Sequence, residues 1–242
     1  MSSSKAMPAR ASDACSTRLV SVAAGSSASN VLTAAVTLAD REGIPALTMR
    51  RLAAELGVEA MSLYYHLPGK EALLDGVVET VLAQIDAAVG QHDISGGDTD
   101  WHTRLRRQFL AARQVMLRHP WVPGLLGSRR TIPTGVYAYY DGIISTLVNA
   151  GFSYHLAHRA LHAFGSMPLG FVQEIFNPAQ EDADTQAEAD LAAMADALPH
   201  LAAMIAIESH NADNPALGWC DSQVEFEFTL DLLLDGLERL RD

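Results

Sequence analysis

Apolar side chains recur every three to four residues along nearly the whole chain. From Asn30, the positions Val31, Leu32, Ala35, Leu38 and Ala39 mark one buried helix face, and Gly43 and Pro45 end it. Thr48 is placed to cap a short helix running through Leu56, whose apolar side is Leu52, Ala53 and Leu56. Gly57 follows where a left-handed turn residue is wanted. A second short helix is expected over residues 59–66, broken by Pro68-Gly69. A long helix then opens at Lys70 and runs to about Val89, with Leu73, Leu74, Val77, Val81, Leu82 and Ile85 on its apolar face.

Residues 90–100 are polar and glycine-containing and read as a linker. Beyond them the helical period returns at about 101–119, 121–127, 134–150, 153–176, 190–210 and 221–240, with an acidic loop over 177–190. Strand-like alternation of useful length is missing, so the fold class expected is all-α. The division expected is a flexible arm over 1–28, a helix-turn-helix domain over 29–90 and a C-terminal domain over 91–242.

Composition narrows the classes. Of 242 residues, 49% are hydrophobic and 19% charged, which supplies a core and argues against global disorder. The longest apolar run, Leu201 to Ile207, is far short of the roughly 20 residues of a membrane helix, and a cytoplasmic protein without a membrane partner is expected. Cys15 and Cys220 have no metal-type spacing and are too few for a disulfide scaffold. The net charge of −12 argues against a protein that coats nucleic acid indiscriminately. It is unevenly spread: residues 174–242 sum to −14 and residues 101–173 to +7. Sequence-specific DNA binding tolerates such a total if the few bases sit on the docking face.

The densest signal is LTMRRLAAELGV at 47–58 followed by SLYYHLPGKEALLDGV at 62–77. Two short helices around Gly57, with small Ala53 four positions earlier, describe a helix-turn-helix. Ala53 lets the helices cross closely, and Val58 and Leu63 lock the second onto the first. Together these stretches resemble the DNA-binding domain of the TetR family of bacterial transcriptional repressors, over about residues 29–85. HPWVPGLLGSR at 119–129 and FEFTLDLLLDGLERL at 226–240 resemble, less specifically, the regulatory domain of its tetracycline-repressor branch. The resemblance implies a homodimer on a double-stranded DNA operator, released by a small-molecule effector.

Candidate DNA-binding residues are Thr48, Arg50, Met61, Ser62, Tyr64, Tyr65, His66 and Lys70. The resemblance favours Arg50 for base or phosphate contact and leaves Arg51 to solvent, while Met49 stands where the family often has a small hydroxyl residue. Ala60 and Met61 offer only apolar contact, such as to a thymine methyl, which leaves specificity to Arg50, Tyr64 and DNA shape. One of the two tyrosines is expected to pack beneath the helix. Lys70 opens a helix, so its ammonium and the helix N-terminus both suit a phosphate.

In the last helix Phe226, Leu230, Leu233, Leu237 and Leu240 repeat at 4-3-4-3 spacing, a seam expected, with Phe164 from the 153–176 helix, to form a two-fold four-helix interface. Val224, Phe228, Leu232 and Leu234 widen that apolar surface. Phe109, Met116, Trp121, Tyr137, Tyr140, Phe164, Met167 and Phe171 are candidates to line an effector pocket. His155, His158 and His162 share one helix face, but no cysteine or convergent acid pair accompanies them, so no metal and no cofactor is expected. G-x-S-x-G, H-E-x-x-H and P-loop motifs are missing, so no enzyme is expected. The rival reading is a helical ligand-binding or protein-interaction module whose helix-turn-helix no longer reads DNA, favoured by Met49, Ala60 and Met61 at reading positions.

Overall fold

The computed structural model describes residues 28–92, 100–129, 131–170, 197–204 and 222–241. Among these residues every regular element is helical: α1 Ala28–Glu42, α2 Met49–Leu56, α3 Ala60–Tyr64, α4 Lys70–His92, α5 Trp101–Arg118, α6 Val122–Ser128, α7 Thr134–Asn149, α8 Tyr154–Gly170 and α9 Ser222–Glu238. A 3-10 turn at Ile44–Ala46 joins α1 to α2. The expected arm, the acidic loop at 177–190 and most of the helix expected at 190–210 lie outside the described residues, although 199–204 are helical.

Local chemistry sets most of the boundaries. The Thr48 side chain accepts a hydrogen bond from the Arg51 amide at 3.1 Å and caps α2. At the other end Gly57 adopts φ 66°, and the Val58 amide donates to the Ala53 carbonyl at 3.0 Å, a Schellman closure. Asp100 caps α5 through the Thr103 amide, and hydrogen bonds from the Thr103 side chain and then its amide hold the carboxyl below the usual range. Two boundaries differ from expectation. The second short helix stops at Tyr64, because Tyr65 and His66 already turn toward Pro68. Conversely, α4 continues through Gly90 to His92, since an isolated glycine costs a helix only about 1 kcal/mol.

Packing produces two apolar clusters. The first joins α1–α4 (Val31, Leu38, Leu52, Leu63, Leu73 and Ile85 among others) to Val115 of α5, Leu125 of α6 and Val136 of α7. The second joins α5, α7, α8 and α9 through Phe109, Ile143, Phe164, Phe226 and Leu230. Helix α4 crosses α1 closely at Gly76, where a Cβ would lie 2.6 Å from Leu32 Cδ2. Helices α5 and α7 thus contribute to both clusters, and α4 packs against α1 as well as against α5 and α7.

Candidate nucleic-acid interface and effector groove

Leu63 and Leu67 are buried against the first cluster, and this anchors α3 with its opposite side outward. Met61, Ser62, Tyr64, Tyr65 and His66 are therefore exposed, and so are Thr48, Arg50 and Lys70 in the first turns of α2 and α4. Both tyrosines face solvent; the expectation that one packs beneath the helix is corrected, since leucines already fill that space. Met49 is buried and offers nothing to a phosphate.

The cations of this region divide into two kinds. Arg41 and Arg51 both bond to Glu42 and Glu55, with Arg51 Nη2 2.6 Å from Glu42 Oε1 and Arg41 Nη2 2.9 Å from Glu55 Oε2. These hydrogen bonds hold the Glu42 and Glu55 carboxyls below their ordinary range and raise both guanidinium values. Arg51, expected to be merely solvated, is thus tied into a four-membered network. Arg50 and Lys70 make no ion pair with any described residue.

Two links tie α6 to the DNA-side helices. His119 Nδ1 and Trp121 Nε1 both lie 2.7 Å from Asp40 Oδ1 on α1, and His119 Nε2 lies 3.1 Å from Gln84 Oε1 on α4. At the other end of α6 the buried Arg129 guanidinium pairs with Glu71 and Asp75 of α4. Sequence reading missed Asp40, Asp75 and Arg129. The signal available was charged residues inside otherwise apolar helical faces.

The eight pocket candidates scatter. Phe109 and Phe164 stack at 4.9 Å in the second cluster, where Met167 is also buried. Met116 is buried, Trp121 and Tyr140 pack on the first cluster, and Tyr137 is exposed. Phe171 lies outside the described residues. A groove of about 470 Å³ instead opens between α4, α5 and α7, lined by Leu82, Glu79, Asp86, Arg104, Gln108 and Tyr139. Gly135 and Gly142, seven residues apart on α7, lack the side chains that would fill it. Burial pushes the Tyr139 phenol up, only partly offset by its hydrogen bond with Gln108.

The last helix sits differently from the expectation. Phe226, Leu230 and Leu237 are buried by α5 and α8 of the same chain, and Leu233 packs against the same cluster. Arg106 bonds Asp231 and Glu227 at 2.7 Å, and Arg113 bonds Gln223 at 2.9 Å, which fixes the rotation of α9. What faces outward is Val224, Phe228, Leu232 and Leu240, beside the exposed face of α8. His155, His158 and His162 are exposed on that face, with the last two rings edge-on at 4.7 Å. Among the described residues no His, Cys, Asp and Glu group is placed to hold a metal, and no helix is long and apolar enough to cross a membrane.

Comparison with known proteins places this geometry. Residues 31–77 match the model of bacterial regulatory proteins of the tetR family, and residues 95–241 match the tetracyclin repressor-like C-terminal domain. The chain is 30% identical over 213 residues to the tetracycline repressor protein class C of Escherichia coli, covering 87% of this chain and 90% of that protein. A possible TetR family transcriptional regulator from Streptomyces coelicolor A3(2) has a similar crystal structure, with TM-score 0.64 and 29% identity over 89% of this chain and all of that one. A TetR variant from Acinetobacter baumannii AYE, solved in complex with minocycline, gives TM-score 0.58 and 26% identity over 88% and 97% of the two chains. Both the helix-turn-helix region and the C-terminal region are matched, and the chain belongs to the TetR family of helix-turn-helix transcriptional repressors.

Proposed function

We propose that this protein is a homodimer that occupies a palindromic operator and leaves it when a small molecule binds the C-terminal domain. The observation that carries the reading is the anchored α3, whose outward side is flanked by Arg50 and Lys70, exposed cations that no acid among the described residues neutralises. In this reading Thr48, Arg50 and Lys70 hold phosphates, while Met61, Ser62, Tyr64, Tyr65 and His66 face the major groove.

The exposed apolar strip of Val224, Phe228, Leu232 and Leu240, continuous with α8, supplies the dimer surface. Dimerisation matters because two recognition helices must span half-sites one DNA turn apart, roughly 34–36 Å. The groove between α4, α5 and α7 takes the effector. A ligand seated there bears on α4, which also packs against α1, so it changes the setting of the helix-turn-helix if it prefers one position of α4. The domain division proposed is 29–90 for DNA and 91–242 for effector and dimer.

Selection of duplexes from a random pool with the full-length protein tests the reading. An enriched inverted repeat, lost with Arg50→Ala or Lys70→Ala, is the expected result. A flat pool from a folded dimer at low salt overturns it in favour of a module that no longer reads DNA.

A further inference from the structure

The outward side of the helix-turn-helix is apolar where readers of DNA usually carry charge or amide groups. Met61 is 74% exposed and Tyr65 95% exposed, four residues apart on the side of α3 away from buried Leu63. The Ser62 hydroxyl turns back onto the Glu59 carbonyl at 2.6 Å, which engages its proton. Arg51, next in line after Arg50, is tied to Glu42 and Glu55. Bidentate reading of guanine needs arginine or lysine, and that of adenine needs asparagine or glutamine; α3 holds none of these. Thymine alone offers an apolar group in the major groove, its 5-methyl.

We infer that Met61 contributes a direct specificity contact in each half-site, beside whatever Arg50 and Tyr64 read, and recognises a thymine through that methyl group. Its unbranched thioether chain adapts to an irregular apolar surface and needs no hydrogen-bond partner. Its place at the N-terminal end of the recognition helix is the part that enters the groove. Exposure of so large an apolar side chain in the free protein is then explained by its burial on DNA. The inference rests on the proposed operator reading.

The test replaces each thymine of the selected operator by uracil, which removes only the methyl. Binding of the full-length protein is followed by fluorescence anisotropy. At one position per half-site, uracil is expected to weaken wild-type binding about fourfold, and about fifteenfold when both half-sites are changed. Met61→Ala should bind thymine and uracil duplexes alike, whereas Tyr65→Ala should keep the discrimination. An exposed side chain is being shortened, so loss of fold does not confuse the result. A uracil scan that is flat on a bona fide selected repeat overturns the inference while leaving operator binding intact. So does discrimination that survives Met61→Ala. Failure to select any repeat instead overturns the operator reading beneath it.

Discussion

Helices α3 and α9 both expose large apolar side chains, yet they reach that state by different routes. In α3 the exposed set is dictated locally. A left-handed glycine before it, Pro68 after it and Leu63 beneath it leave five residues one orientation. Helix α9 is apolar on two sides, so its hydrophobic pattern fits either rotation. The seam Phe226, Leu230 and Leu237 turns inward, and Val224, Phe228, Leu232 and Leu240 turn out. Arg106 and Arg113 on α5 decide between the two by pairing with Glu227, Asp231 and Gln223. A short helix between strong punctuation can be placed from sequence, whereas a long two-sided helix waits for its polar neighbours.

The sharpest way to break that comparison is to attack the two faces of α9 separately. Phe226→Ala should cost about 3–5 kcal/mol of protomer stability, because it empties a fully buried site under Arg113. Phe228→Asp should spare the protomer's helical content and convert dimer to monomer. Urea unfolding and sedimentation velocity separate the two; a Phe228→Asp protein that stays dimeric refutes the assignment of the faces.

Next in size is the link between α6 and α4. Removing the Asp75 carboxylate leaves the Arg129 guanidinium, only 6% exposed, with Glu71 as its remaining acid. Asp75→Ala should cost about 1–3 kcal/mol in thermal unfolding. Among the DNA-side cations, Arg50→Gln should weaken operator binding at least about tenfold, while Arg51→Gln should change it less than about twofold, since Arg51 is already engaged by Glu42 and Glu55. Equal losses for the two would contradict the division of cations.

Smaller still is Gly57→Ala, expected to cost about 1 kcal/mol because a side chain is placed at positive φ. The smallest effect concerns pH. Glu42 and Glu55 are held below their usual value of 4.5 by Arg51 and Arg41. Their folded values lie below the unfolded ones, so their contribution is complete above pH 4.5 and is lost as pH falls through the folded values. Melting temperature should be flat in this respect from pH 7 to about pH 5 and then fall. Arg51→Gln should shallow that fall, and an unchanged acid limb would deny the network any part in it.

Period, capping and turn residues were enough to read the all-helical class, α1 to α8 in outline and the helix-turn-helix, because each of these rests on interactions within a few residues. Thr48, Gly57, Ala53 and Leu63 behave in the structure as their residue types require. The groove was not legible in the same way. Aromatic residues drew attention, but Phe109 and Phe164 stack on each other in the core, and the lining is Tyr139, Gln108 and a face of α7 left bare by Gly135 and Gly142. A glycine pair seven residues apart on a helix was the available clue.

Local chemistry along the chain set which segments are helices, roughly where they stop and that Leu63 anchors α3, since those outcomes follow from backbone conformation, capping and hydrophobic period. Only the tertiary structure decided which face of α9 is inside, which arginines are neutralised and where a cavity remains. Those depend on pairings between residues up to 125 positions apart, such as Arg106 with Asp231, and no local pattern along the chain encodes which distant carboxylate an arginine will meet.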